Sequence, residues 1–169
     1  MSLDVSTISI DEVIGIAIRL EEDGIEFYKA ASEKAHSRHL REVLNTLADH
    51  ELEHKMIFQE MARETGVNLV RDEASLKVSP QSMESLSEAG IFPSPEERDS
   101  AIASLHSPAQ ALRFAIKVEN GSVIFYQSAA RAAKSDAVRD TFNRILAQER
   151  QHVRLLTAEL KALKASSES

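Results

Sequence analysis

Residues 17–28 read AIRLEEDGIEFY and residues 115–126 read AIKVENGSVIFY, 98 positions further on. Thirty positions after Glu21 stands Glu51-x-x-His54, and thirty positions after Glu119 stands Glu149-x-x-His152. The register between the copies holds without a gap from Ala17/Ala115 to Phe58/Leu156. Self-similarity at a fixed offset marks a repeated structural unit. Packing alone could preserve the apolar matches. Glu, Glu and His persist while most other positions drift, which points to a shared chemical need. Four carboxylates and two imidazoles, arranged as two single Glu and two Glu-x-x-His pairs, are the ligand set of a two-metal site inside a four-helix bundle.

The flanking sequence supplies the helices. Ser9 and Glu12 form a Ser-x-x-Glu capping box for a first helix running to about His36. Its stripe is Ile10, Ile14, Ala17, Glu21, Ile25 and Tyr28. A second helix is expected from Arg38 to Thr65, with Gly66 as its stop and Leu40, Leu44, Leu47, Glu51, His54, Phe58 and Met61 on one face. The midpoint between Glu21 and Glu51 is His36, at the expected turn. Both carboxylates then lie about 15 residues, roughly 22 Å, from the hairpin and at one height in the bundle. The second half repeats this about Lys134. Its third helix opens at Ser107-Pro108 with Leu112, Ala115, Glu119, Ser122 and Tyr126 on one face. Its fourth carries Val138, Phe142, Ile145, Glu149, His152, Leu156 and Leu163 before a polar, frayed tail at Ser166–Ser169.

About 40 residues separate Gly66 from Ser107, whereas about a dozen extended residues suffice to cross a bundle. Ser79-Pro80 and Ser94-Pro95 read as starts of two short helices, one stopped by Gly90. Ile91-Phe92-Pro93 is an apolar knuckle expected to pack on the bundle or on a second subunit. The expected architecture is all-α: one domain over residues 1–169, with a helical hairpin at 9–65, a crossover at 66–107 and a second hairpin at 108–165.

Composition narrows the function. A chain of 169 residues with 43% apolar and 28% charged residues is an ordinary globular domain. The net charge of −7 argues against nucleic acid and suits a protein that attracts cations. The sequence contains no cysteine, which removes disulfides, zinc ribbons and four-cysteine iron sites. No apolar run approaches the roughly 20 residues of a membrane span. No signal peptide is visible either, so the expected compartment is the cytoplasm.

Two divalent cations bring four positive charges, and four carboxylates cancel them, so the assembly can sit in a dry interior. Each Glu-x-x-His offers an oxygen and a nitrogen from one helix face. A purely structural reading requires some of the four carboxylates to face solvent. His50-Glu51-Leu52-Glu53-His54 also satisfies the zinc-protease pattern His-Glu-x-x-His. The second copy, Gln148-Glu149-Arg150-Gln151-His152, loses the earlier His and argues against that reading. Glu22, Glu26, Glu53 and Glu60 fall off the stripe and read as solvated faces. His36, His39 and His106 sit near helix ends. Gly24 reads as a close-packing point. For Tyr28 and Tyr126, core packing and hydroxyl bonds to a ligand carboxylate are equally compatible with the sequence.

These residues resemble the ferritin-like di-iron family, and Glu-x-x-Gly-x-x-Phe-Tyr in the first helix is closest to rubrerythrins. The resemblance covers both hairpins but not the middle segment. It implies a ferritin-like bundle holding two iron ions, with manganese or zinc possible in the same place. Glu51 and Glu149 would bridge the metals, Glu21 and His54 would complete one, and Glu119 and His152 the other. It implies an oxidoreductase that reduces hydrogen peroxide or dioxygen. Because the sequence carries no rubredoxin part, the electrons would come from an external donor protein, rubredoxin-like or similar. The alternative is iron handling, by ferroxidase action, binding or storage. A substrate hydroxylase is a third option. A homodimer, without nucleic acid or membrane, is the expected assembly. Two departures stand out. Ser122 replaces a further Glu found in rubrerythrins, and His50 and Gln148 precede the Glu-x-x-His pairs where related sites often carry Asp, leaving open which groups orient His54 and His152.

Overall fold

The computed structural model describes residues 5, 8–67, 78–103 and 107–167. In chain order the helices are α1 (Ile10–Lys34), α2 (Arg38–Glu64), α3 (Pro80–Glu88), α4 (Pro95–Ala103), α5 (Pro108–Ala132) and α6 (Asp136–Ser167). The described residues contain no strand. α1 packs along α2 and α5 along α6, and the two hairpins meet through α1 against α5 and α2 against α6. The fold is an all-α four-helix bundle.

Local chemistry places the ends. Ser9, Ser37, Ser79 and Ser107 each accept a backbone N–H from the first turn of α1, α2, α3 and α5, satisfying a donor that the helix leaves free. α4 has a full capping box: Ser94 Oγ accepts from Glu97 N at 3.2 Å and Glu97 Oε2 accepts from Ser94 N at 3.0 Å. At α1 the expected box is only half formed. The Glu12 carboxylate turns away from Ser9 and accepts from Ser79 N at 3.0 Å and Ser82 Oγ at 2.6 Å, tying the start of α3 to the start of α1.

Three details differ from expectation. α1 ends at Lys34 because Ala35 adopts extended backbone ahead of the Ser37 cap. α6 continues through Ser167, so the first two residues of the expected tail are helical, with Ser166 Oγ donating to Ala162 O at 3.0 Å. Ile10 is 40% exposed and Ile25 only half-buried, while Gly24 and Phe27 join the buried face of α1. His106, Glu168 and Ser169 lie outside the described residues.

The apolar interior is divided in two. One core gathers Ile14, Ala17, Phe58, Tyr126, Phe142 and Ile145 with crossover residues. The other gathers Phe27, Tyr28, Leu44, Leu47, Leu112 and Leu156. Because neighbouring helices are antiparallel, each core draws on one half of all four long helices. The Glu and His residues of the repeat occupy the layer between.

The crossover is docked, not slung. Leu86, Ile91 and Phe92 are buried, and Phe92 packs edge-on to Phe125 with ring centroids 5.8 Å apart. The Ile91-Phe92 knuckle therefore packs on its own bundle. Arg98 on α4 pairs with Asp23 on α1, and Lys34 Nζ donates to Ile102 O. Gly121 makes the approach feasible, since a Cβ there would lie 1.9 Å from the carbonyl oxygen of Ile91. Gly121→Ala should therefore push the crossover off α5 and destabilise the fold by about 1–3 kcal/mol. Chemical denaturation of the wild type and variant side by side checks this; unchanged stability would mean the crossover shifts freely.

Candidate metal centre

Every site residue predicted from the repeat reaches one layer of the bundle. Glu21 comes from α1, Glu51 and His54 from α2, Glu119 from α5, and Glu149 and His152 from α6. None of the six is more than 5% exposed, so none of the carboxylates finds the solvent that a purely structural reading needs. The i, i+3 spacing sets each His beside its own helix's Glu, and the antiparallel pairing brings the second Glu-x-x-His against the first.

Two overlapping donor sets result. Glu21, Glu51, His54 and Glu149 offer ligand atoms within 4.8 Å of one another, and so do Glu51, Glu119, Glu149 and His152. Glu51 and Glu149 are common to both. His54 Nδ1 lies 2.9 Å from Glu149 Oε1, 3.6 Å from Glu21 Oε2 and 3.9 Å from Glu51 Oε2. His152 Nδ1 lies 3.2 Å from both Glu51 Oε1 and Glu149 Oε2, and 3.6 Å from Glu119 Oε1. His50 belongs to neither set, so the arrangement is not that of a His-Glu-x-x-His protease.

The six side chains do not satisfy one another. Glu51 Oε1, His54 Nδ1, both Glu149 oxygens and His152 Nδ1 are buried, and their close pairings lack hydrogen-bond geometry. Buried polar atoms are rarely left so. Inward-facing donors of this kind fit cations held between them, and oxygen with imidazole suits iron, manganese or zinc.

The surrounding groups point at the ligands. The Tyr28 hydroxyl donates to Glu119 Oε1 and the Tyr126 hydroxyl to Glu21 Oε1. Each tyrosine thus holds the single Glu of the other hairpin, the hydrogen-bonding alternative left open by the sequence. A Cβ on Gly24 would lie 3.2 Å from Glu51 Cγ, so the glycine makes room for a shared carboxylate. Glu22, expected to be solvated, pairs with Lys55 at 2.8 Å. Glu26, Glu53 and Glu60 are exposed. His36 is exposed too, and exposed His39 meets Glu159 at 3.0 Å.

The groups that orient the imidazoles had no assignment from sequence. His54 Nε2 lies 2.8 Å from Gln148 Oε1, and His152 Nε2 lies 3.1 Å from His50 Nδ1. The signal was present, since each partner stands one turn before the other helix's His, but it becomes readable only when α2 is laid antiparallel on α6.

Electrostatics follow from burial. Desolvation pushes the Glu21, Glu51 and Glu119 carboxyls up, Glu119 to about 8, and neighbouring carboxylates add to the rise. At Glu149 burial and the Glu51 charge also push upward, but the adjoining His152, His54 and Glu119 side chains outweigh them and leave that carboxyl below its usual value. Burial alone would lower the imidazoles. Glu149 and Glu21 instead raise His54 to about 11, and Glu119, Glu149 and Glu51 raise His152. With no cation bound, the raised carboxyls and raised imidazoles all favour their protonated forms. Burial and the adjacent carboxylates hold both phenols well above their usual value, so they remain donors.

Comparison with known proteins agrees with this picture. Residues 12–89 match the Rubrerythrin family model, a match consistent with a ferritin-like di-iron family. It takes in Glu21, Glu51 and His54 and leaves the second hairpin outside. Among solved structures, a hypothetical protein from Pyrococcus furiosus superposes with a TM-score of 0.70 at 22% identity, covering 97% of this chain and 98% of that one. That likeness is one of fold; the helical architecture and the family match are consistent with an all-α, ferritin-like bundle. No curated protein matches the chain.

The pH response of the metal-free protein follows in sign. Glu119 and His54 both bind protons more tightly folded than unfolded. Their stabilisation is complete below their unfolded values of about 4.3 and 6.5. It is lost as pH rises through about 8 for Glu119 and about 11 for His54. Chelator-treated protein should therefore show a melting temperature that falls from pH 6 to pH 10. Cations displace those protons, so their affinity should rise over the same range, by about tenfold per pH unit for each proton displaced. Thermal melts with and without metal across that range check both signs; a metal-free protein that gains stability with pH would contradict the protonated layer.

Proposed function

We propose that this protein is a non-haem di-iron oxidoreductase that reduces hydrogen peroxide or dioxygen with electrons from a separate donor protein. The observation that carries the reading is the buried pair of four-membered donor sets sharing Glu51 and Glu149. In this assignment Glu21 and His54 complete one iron site and Glu119 and His152 the other. Iron held there would supply the redox chemistry: reducing one hydrogen peroxide to two waters takes two electrons and two protons.

The rest is done by the chain. Ligands come from all four long helices, so the site's geometry is set by the packing of the whole bundle. Apolar cores above and below exclude water. The Tyr28 and Tyr126 hydroxyls keep Glu119 and Glu21 aimed inward. These 169 residues contain no cysteine, so they hold no four-cysteine iron site to pass electrons on. The six side chains that would hold the cations lie away from solvent, which favours iron that stays and turns over.

One observation favours a second reading. Buried Ser122 stands where rubrerythrins carry a further Glu, and the remaining set is symmetric between hairpins. Such a set suits an iron-handling protein that oxidises ferrous iron and passes it on.

Anaerobically iron-loaded protein mixed in a stopped-flow instrument with peroxide, and separately with dioxygen, decides between the two. Much faster oxidation by peroxide, with about two irons retained per chain, is the expected result. Faster oxidation by dioxygen followed by loss of ferric iron would move the protein to iron handling. Metal analysis adds an independent check. Glu51→Ala or Glu149→Ala should cost both irons, whereas Glu21→Ala should weaken one.

A further inference from the structure

The residue before each Glu-x-x-His departs from the acid often found in related sites, and the structure shows what each replacement touches. Gln148 and His50 are half-buried, on the edge where α6 faces α2. Gln148 reaches from α6 to His54 on α2, with Oε1 2.8 Å from Nε2. His50 reaches from α2 to His152 on α6, with Nδ1 3.1 Å from Nε2. The His50 and His152 rings are 9° from parallel with centroids 5.3 Å apart. That separation, with the two nitrogens in contact, describes rings joined edge to edge in one plane.

We propose that Gln148 and His50 are positioning residues. Each fixes the imidazole of the opposite helix with Nε2–H outward and Nδ1 toward the cations, and their different chemistry makes the two cation sites unequal. The inference rests on the di-metal reading above. An amide oxygen only accepts, so with Gln148 Oε1 at this contact His54 Nε2 must carry a proton, and the neutral ring that a cation would bind keeps its lone pair on Nδ1. His152 reaches the same tautomer only by donating to His50 Nδ1, which places the proton of the His50 ring on Nε2. One ligand is thus steered by a flexible amide and the other by a rigid ring. Both acceptors are uncharged, unlike the carboxylate that usually backs a metal-bound His.

The test is a titration of the metal-free full-length protein with Co(II), followed by its visible absorption and by calorimetry. The wild type should take up two equivalents. Gln148→Met and His50→Leu, which keep bulk but lose the acceptor, should each weaken one equivalent by about 10- to 100-fold and spare the other. Gln148→Glu and His50→Asn, which retain an acceptor, should restore it. Melting of the metal-free variants controls for folding. Wild-type isotherms in both acceptor-less variants, or loss of both equivalents together, would overturn the inference. A second measurement needs no variant. Long-range nitrogen–proton spectra of the Zn(II)-loaded wild type should show the protonated nitrogen of both ligand imidazoles to be Nε2, and Nε2 bound to zinc would overturn the assignment. A wild type that takes up neither Co(II) nor Zn(II) would end the di-metal reading itself, an outcome distinct from failure of the positioning role alone.

Discussion

Six ionisable side chains are buried in one layer, and the rest of this protein is arranged around that fact. Taking a carboxylate out of water costs several kcal/mol even after relaxation, and four stand here within a few ångströms of two imidazoles. Without cations the layer favours keeping protons: three of the four carboxyls and both imidazoles are pushed up, and some ligand atoms remain unsatisfied. Cations remove the conflict, because four negative ligands balance two divalent charges.

Burial of such a layer requires rigid surroundings, and the fold supplies them in two ways. Apolar cores flank it on both sides, drawn from opposite halves of the same four helices. Bonds between hairpins then lock the rotation of one against the other: Tyr28 to Glu119, Tyr126 to Glu21, Gln148 to His54 and His50 to His152. Each of these polar contacts ends on one of the six. The elements that stabilise the bundle and those that aim the ligands are therefore the same.

The crossover adds a separate constraint. A connection from the end of α2 to the start of α5 must run the length of the bundle, and it is laid against α1 and α5 by Leu86, Ile91, Phe92 and the Arg98–Asp23 pair. Gly121 belongs to this surface, whereas Gly24 belongs to the site. The two glycines stand in nearly corresponding stretches of the repeat yet answer different steric demands.

Much of this was legible in the sequence because it depends on spacing within one helix. The 98-residue repeat, the i, i+3 pairs and the equal distance of each Glu from its turn determine four long helices and one level for six polar groups. Serine caps and prolines mark the helix starts, including those of the crossover. What spacing does not encode is the rotation and axial offset of one hairpin on the other. That offset alone decided which tyrosine meets which glutamate and that Gln148 and His50 serve the opposite helix's histidine. Docking of the crossover decided that Glu12 leaves its own cap for Ser79 and Ser82. It also decided that the Ile91-Phe92 knuckle turns inward onto Gly121. Contacts along a helix follow from its 3.6-residue period; contacts between helices follow from how two apolar faces pack, which only the assembled bundle determines.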